Sequence, residues 1–523
     1  MAQQSFLETF KAARRVSTSL MAIRTPDPAA TMGTVMQAYA ETKEVPPILC
    51  HDIVRGVLGV NDKGQDALHD LFSAVEISQM QERIQSGEKV GDLYQLLSES
   101  LSSPVDALVR AVKLPRLSIL FMLNADRYME QPVVAQAICN LRDNFKANRR
   151  SVVLLAPDIT LPAALAQDVL LLDEPYPDRE QLKEIITRVY NDAKLDKPKA
   201  DVLEKCSDAL CGLAAYPAEQ VAFISLKKDG IDVEGLWERK RQTIEQTVGA
   251  SVWRGAEKFS NICGLSNVVK YVRMVINGKR EISCVLFLDE IEKMFAGLQG
   301  DLSGVSQKMF GTFLTWMQDH NAIGILLLGP PGTGKSLLAK AIGNEAGVPT
   351  IVGDIGGMEA GIVGESGKNL RSFLKMVDAV AGGKTIFVVA TCNNVDSLPP
   401  ELRRRFKRGT FFMDLMSKEE RDGAWQFFTK KYNLTDKKRP DDEGWTGAEI
   451  EQCTEMAWDY GISLVEAAEY VVPVAQSAKD QIQRLREFAA GKFIAASYPG
   501  KYKLPSNQPP VLQQSRSIKR EVN

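Results

Sequence analysis

A run of apolar residues ending in two carboxylates, CVLFLDEIEKMFAG from Cys284, stands upstream of a second run ending in glycines, ILLLGPPGTGKSLLAKAI from Ile325. These two segments constrain the fold more than any others, because each reads as a buried strand with its chemistry at the carboxyl end. Gly329 to Ser336 satisfies GxxxxGK[ST] in full, after an apolar strand and at the opening of a helix, which is the context the motif needs. Glycines at 329, 332 and 334 let backbone N–H groups turn inward on phosphate oxygens with no Cβ in the way. The helix that follows adds its positive end. The predicted phosphate loop is Gly329, Pro330, Pro331, Gly332, Thr333, Gly334, Lys335, Ser336 and Leu337, with ATP as its ligand. Lys335 is expected to reach the β- and γ-phosphates and Ser336 to hold Mg2+.

Asp289 and Glu290 end the run Cys284–Leu288. A carboxylate at the end of a buried strand is costly unless a cation waits there. Asp289 is therefore expected at the Mg2+, and Glu290 at the attacking water. Another apolar strand, VVATCNN at 388–394, ends in amides and offers Asn393 to the γ-phosphate or the water, or to an ordinary turn. The segment PPELRRRFKRGTFF carries four arginines and a lysine between 403 and 408. A solvated charge run is one reading. An arginine that stabilises transferred charge in a neighbouring subunit is the other, with Arg405 and Arg408 as candidates.

The two blocks come in an unusual order. Exchanging 284–321 with 322–384 would give the phosphate loop first, then the paired acids, then the asparagine and the arginines. Each block begins with a strand and ends after a helix, so each is a complete strand–helix unit. In a parallel sheet all carboxyl ends point to one side whatever the order of threading. The expected lateral order places 385–391 between 323–328 and 284–289. The link QDHNA at 318–322 then passes one strand, a lateral step of ~10 Å, which four or five extended residues cover. The link VAGGK at 380–384 serves the other crossover, and its glycines ease the turn. A natural non-cyclic permutation with an intact site is one outcome; a chain that binds nucleotide without turnover is the other.

At 523 residues the chain is too long for one core. Its formal net charge of −2 supplies no global pull toward nucleic acid or an anionic membrane. The eight cysteines contain no CxxC, and the three histidines, at 51, 69 and 320, have no ligand-like spacing, so buried thiols in a reducing compartment are expected. No segment approaches the ~20 apolar residues of a membrane span. The opening MAQQSFLETFKAARR lacks the pattern of a cleaved leader. It reads as an amphipathic helix with Phe6, Phe10 and Ala13 on one side, either packed or lying on a membrane surface. The expected location is the cytoplasm, or the plastid stroma in a eukaryote.

Strands alternating with helices imply parallel sheets. DALHDLFSAVEISQMQERIQSG has helical spacing and a stop at Gly87. The pattern at 151–182 returns at 386–422: strand, loop, Leu-Pro, short helix, strand, acidic turn, helix. The first copy is four residues shorter between Leu-Pro and the final strand (Pro162 to Asp173 against Pro399 to Asp414), where the second has its arginines. It also has Asn124-Ala125 in place of Asp289-Glu290, and no phosphate loop. A duplicated nucleotide-binding fold with an inert first copy is the reading; a chance likeness of two parallel sheets is the rival. The expected fold class is α/β, with two P-loop NTPase-like parallel-sheet units, the N-terminal one degenerate, each carrying a helical subdomain. The boundaries are 1–185, a helical subdomain and linker at 186–255, the core at 256–416, a helical lid at 417–500 and a flexible Pro- and Gln-rich tail at 501–523.

With these residues in place, 255–500 resembles an AAA-type ATPase. The whole chain is similar to the plastid and cyanobacterial family known as hypothetical chloroplast open reading frame 46, through LFMLNADRY, VVLLAPDITLP, GPPGTGKSLLAKAI, VGESGKNLR, FLDEIEKMFAG, ATCNNVDSLPPELRRRF and TGAEIEQ. The resemblance implies an inactive first ATPase-like domain, an active second one, and ATP hydrolysis by a ring homo-oligomer such as a hexamer. Three departures stand out. Ile362 replaces the aromatic residue of a translocating pore loop, RRFKR replaces the usual arginine-finger context, and Gly447-Ala448 stands where some relatives carry a second-sensor arginine. The expected function is ATP hydrolysis that remodels a protein client. An ATP-dependent scaffold with little turnover is the alternative, and a nucleic-acid motor is disfavoured by the charge balance.

Overall fold

The computed structural model describes residues 6–505 apart from 41, 43, 87–91, 296–304, 321, 359–364, 395–399 and 437. The chain divides into two compact units, Met1–Leu236 and Trp237–Asn523, so the helical stretch 186–255 is shared between them. Among the described residues no helix is long and apolar enough to cross a membrane.

The first unit is built on a six-stranded sheet with lateral order Gly56–Gly59, Ile48–Asp52, Ile119–Leu123, Ser151–Ala156, Leu20–Arg24, Leu170–Asp173. All neighbours run parallel except the hairpin of the first two. Ser151–Ala156 is buried along its whole length, as a strand covered by helices on both faces must be. The helix Phe6–Arg15 is packed, with Phe10 and Ala13 buried. Its Arg14 guanidinium donates to the Arg149 carbonyl at 2.8 Å, the Ser151 hydroxyl at 2.9 Å and the Leu117 carbonyl at 2.5 Å. The single helix expected from Ala67 onward is two, Asp62–His69 and Ala74–Gln85. Ser73 restarts it: its hydroxyl accepts from Glu76 N while Glu76 accepts from Ser73 N, a capping box that outweighs the continuous apolar spacing. Gly87 lies outside the described residues.

The second unit has a seven-stranded sheet with lateral order Ile494–Ala495, Thr410–Phe412, Ala322–Leu328, Thr385–Cys392, Ile282–Leu288, Thr350–Gly353, Ala250–Val252. The asparagine strand Thr385–Cys392 thus lies between the phosphate-loop strand Ala322–Leu328 and the carboxylate strand Ile282–Leu288. All three are parallel, and Ala390 is level with both Leu326 and Leu288. That register sets Gly329, Asp289 and Asn393 side by side at one edge. Alternate residues face opposite sides. Leu286, Leu326 and Val388 pack with Phe313 and Phe373 on one side, and Phe287, Ile325 and Phe387 with Val268, Val272, Leu338 and Ile342 on the other.

The link into the phosphate-loop strand is shorter than the expected five residues. The helix Val305–Asp319 ends three residues before Ala322, so the helix itself covers the lateral step. It is fastened to the helix Glu365–Ala381 through Asp378, which accepts from Trp316 Nε1 at 2.8 Å and lies 3.1 Å from His320 Nε2. In the other link Gly382 and Gly383 take left-handed φ of 55° and 78°, a conformation only glycine adopts at no cost.

The helices Lys418–Lys431, Gly447–Tyr460 and Leu464–Ala468 form a subdomain with its own core around Trp425, Trp445, Ile450 and Leu464. The helix Lys479–Ala489 returns to the sheet, where Leu485 and Phe493 join the main core. Tyr502 is buried too and donates to Asp414 at 2.5 Å; the tail from 506 lies outside the described residues. All eight cysteines are free thiols, six of them buried.

Candidate active site

The phosphate loop turns sharply between Leu328 and the helix Lys335–Ala346, whose N-cap is Gly334 at φ 86°. A Cβ on Gly329 would stand 2.2 Å from the Met413 carbonyl oxygen, so only glycine fits there. The Lys335 side chain is 5% exposed. Its ammonium donates to the carbonyls of Gly329 at 2.8 Å and Pro330 at 2.6 Å. Burial lowers its pKa from the ordinary lysine value to about 8. The ammonium is thus desolvated, and among the described residues its hydrogen bonds run only to neutral carbonyls.

Across the asparagine strand, Ser336 Oγ donates to Asp289 Oδ1 at 3.1 Å and lies 3.3 Å from Oδ2. Thr391, fully buried, donates to Asp289 Oδ1 at 2.5 Å and accepts from Glu290 N at 2.9 Å. One hydroxyl therefore orients both acids. Glu290 sits at φ 50°, a left-handed conformation that costs a non-glycine residue on the order of 1–3 kcal/mol. Its Oε1 accepts from Asn393 Nδ2 at 3.0 Å and its Oε2 pairs with Lys293 at 2.5 Å.

These groups open on a cavity of about 380 Å³ that runs from the loop to the helical subdomain. Asp289, Glu290, Asn393 and Pro331 to Leu337 line one end; Ile262, Cys263, Leu265, Met416 and Phe428 form an apolar wall, with Gly447, Ala448 and Glu451 beside it. Gly329 and Pro330 lie beneath, holding Lys335. The structure does not bring Arg405 or Arg408 to this cavity within the chain. Both are half-buried, Arg405 at the end of the helix Pro400–Arg405 and Arg408 where its N–H donates to the Gly324 carbonyl. Ile362 lies outside the described residues. Two polar contributors were missed: Thr391, a hydroxyl in an otherwise apolar strand and so visible in principle, and Glu292, which accepts from Asn393 N at 2.7 Å. The apolar wall is drawn from three separate segments, and nothing local marked it.

In the first unit the cavity at the corresponding place, about 470 Å³, is lined by Thr25, Asp27, Glu174, Glu184, Arg188 and Ala214 among others, with no lysine. The Asp27 carboxylate accepts from Ala30 N at 3.0 Å and from Tyr216 N at 3.1 Å, at the starts of two helices.

Residues 325–386 match the model of the ATPase family associated with various cellular activities (AAA), and residues 6–174 match the SpoVK-like AAA ATPase N-terminal domain. The AAA domain-containing protein ycf46 of Guillardia theta is 25% identical over 76% of this chain and 85% of its own length. The ycf46 protein of Gracilaria tenuistipitata var. liui is 24% identical over 77% and 88%. The ATP-dependent zinc metalloprotease FtsH of Mycoplasma pneumoniae is 30% identical over 24% of this chain and 25% of its own. With the α/β fold of both units, the chain is thus similar to AAA ATPases in two separate segments and to the ycf46 proteins along most of its length.

Proposed function

We propose that the second unit binds and hydrolyses ATP with Mg2+, and that the first is a degenerate copy of the same fold that does neither. The observation that carries this reading is the 3.1 Å approach of Ser336 to Asp289 beside a buried lysine whose hydrogen bonds, among the described residues, run only to carbonyls. That donor set fits the ion, and Ser336 and Asp289 would hold it. Mg2+ neutralises triphosphate charge when bound. Lys335 exchanges its two carbonyl partners for phosphate oxygens. The glycines of the loop admit those oxygens to backbone N–H groups. The apolar wall takes the base and excludes water. Glu290, aimed by Asn393, accepts the proton of the attacking water.

The reading extends to a ring of identical chains, with Arg405 or Arg408 reaching the next subunit's site, and to a protein client remodelled by the cycle. A soluble compartment, cytoplasm or plastid stroma, suits a chain with no spanning helix among its described residues. We also propose that the chain carries the family arrangement with 284–321 and 322–384 exchanged. Two facts support this: the first unit fills the same lateral places in simple chain order, and the AAA match ends at residue 386 without reaching back to the carboxylate strand.

A second reading, a switch with slow turnover, is favoured by one contact set. Both oxygens of Glu290 are engaged, one by Asn393 and one by Lys293. Steady-state phosphate release separates the two readings. Hydrolysis by the parent chain, lost in Lys335→Ala and reduced ~10²–10⁴-fold in Glu290→Gln, is expected of the enzyme; ATP binding with no turnover in the parent points to the switch.

A further inference from the structure

We infer that Glu292 is a positioning residue of this site: it fixes the backbone of Asn393 and, through Asn393, the carboxylate of Glu290. The inference rests on the hydrolytic reading above. Glu292 lies in the short turn Ile291–Phe295 that follows the paired acids. Its Oε1 accepts from Asn393 N at 2.7 Å, just past the end of the asparagine strand. The Asn393 side chain then reaches Glu290 Oε1 at 3.0 Å. Two glutamates two positions apart thereby grip one asparagine, the first by its side-chain amide and the second by its backbone. Glu290 itself sits in a left-handed conformation, so its carboxylate is held by these contacts rather than by a relaxed backbone.

The other oxygen of Glu292 sharpens the case. Among the described residues Oε2 is buried with no hydrogen-bond partner in good geometry, with the Cys392 thiol beside the carboxylate. A buried acceptor without a donor carries a desolvation cost, larger when it is charged. A glutamate that only filled the turn Ile291–Phe295 would avoid that cost by facing solvent. Glu292 does not itself line the cavity, so its effect on turnover passes through Asn393, which does.

The test compares Glu292→Ala, Glu292→Gln and Glu292→Asp in the full chain. Glutamine keeps an oxygen for the Asn393 N–H; aspartate keeps the charge but withdraws the oxygen by one methylene. Alanine and aspartate are expected to lower kcat about 10- to 100-fold with ATP Kd within about threefold of the parent, as a misaimed catalytic group does. Glutamine is expected to retain most of kcat. Parent-like kcat in the aspartate variant, or a Kd effect without a kcat effect, overturns the inference. Hydrogen exchange at the Asn393 amide gives a readout independent of activity: slow in the parent and the glutamine variant, faster in the other two. Equal exchange in all four chains also overturns it. A parent that never hydrolyses ATP counts against the hydrolytic reading, and the exchange data then still decide whether Glu292 holds Asn393.

Discussion

In the first unit Leu20–Arg24, Ile48–Asp52, Ile119–Leu123, Ser151–Ala156 and Leu170–Asp173 follow one another along the chain. The strands of the second unit that fill the same lateral places come in a different order. Ile282–Leu288 matches Ile119–Leu123 by place yet enters first, before the phosphate-loop strand that matches Leu20–Arg24. The first unit steps from its second to its third strand, and from its third to its fourth, between immediate neighbours. The second unit passes over a strand at both corresponding points. The two sheets nevertheless present their carboxyl ends alike, because parallel strands all deliver to one side and register, not threading, decides which residues meet there. What differs is how those ends are satisfied. In the first unit Arg24 lies 3.8 Å from Asp158 and 3.5 Å from Asp173, and Asp27 takes two helix-start N–H groups. These charges are paired within the chain, although Arg24 Nε makes no hydrogen bond among the described residues. In the second unit, among the described residues, Lys335 donates only to carbonyls, and Ser336 donates to Asp289. Both ends keep a cavity, about 470 Å³ in the first unit and about 380 Å³ in the second, but only the second is lined by a lysine.

The comparison breaks most sharply on stoichiometry. Titration calorimetry with ATP and Mg2+ is expected to give one site per chain, and none in Lys335→Ala. Two sites in the parent, or one surviving in the variant, would mean that the first unit binds nucleotide after all.

A smaller effect is expected from pH. Burial holds Lys335 at about 8, below the ordinary lysine value of ~10.4. Between those values the unfolded chain binds more protons than the folded one, so the stability of the nucleotide-free protein rises with pH across that window. The triphosphate needs the ammonium. ATP affinity should therefore fall as pH rises past about 8, by up to about tenfold per unit. A flat affinity from pH 7 to 9 would contradict a lysine desolvated in the way described.

The smallest effect belongs to the first unit. Asp27→Ala removes the acceptor shared by Ala30 and Tyr216, and a lost helix cap costs ~0.5–2 kcal/mol. Thermal melting should register it while ATP stoichiometry and turnover stay at parent values. A change in turnover would show that this end of the first unit governs the site of the second.

Much of this site was legible from residue type and spacing. The loop from Gly329 to Ser336 and the acids Asp289 and Glu290 announce themselves, since a desolvated lysine or carboxylate at a strand end has few other uses. The lateral order was legible as well, because three apolar runs must share one buried sheet. The length of the link after Asp319 was not, since reasoning over extended residues ignored the width that a helix spans beneath its sheet. The roles of Glu292 and Thr391 depend on a cross-strand register that no local pattern encodes. Phe428 and Met416 meet Ile262 only through the way the helical subdomain folds back. Arg405 and Arg408 were legible as cations, and within the chain neither lines the cavity.

The most direct measurement is an experimental structure of the Glu290→Gln chain with ATP and Mg2+. The account predicts Lys335 on the β- and γ-phosphates, Ser336 and Asp289 at one metal ion, and Thr385–Cys392 between the two strands that deliver them. Density placing Asp289 away from the metal, or the carboxylate strand outside the sheet of Ala322–Leu328, would contradict it.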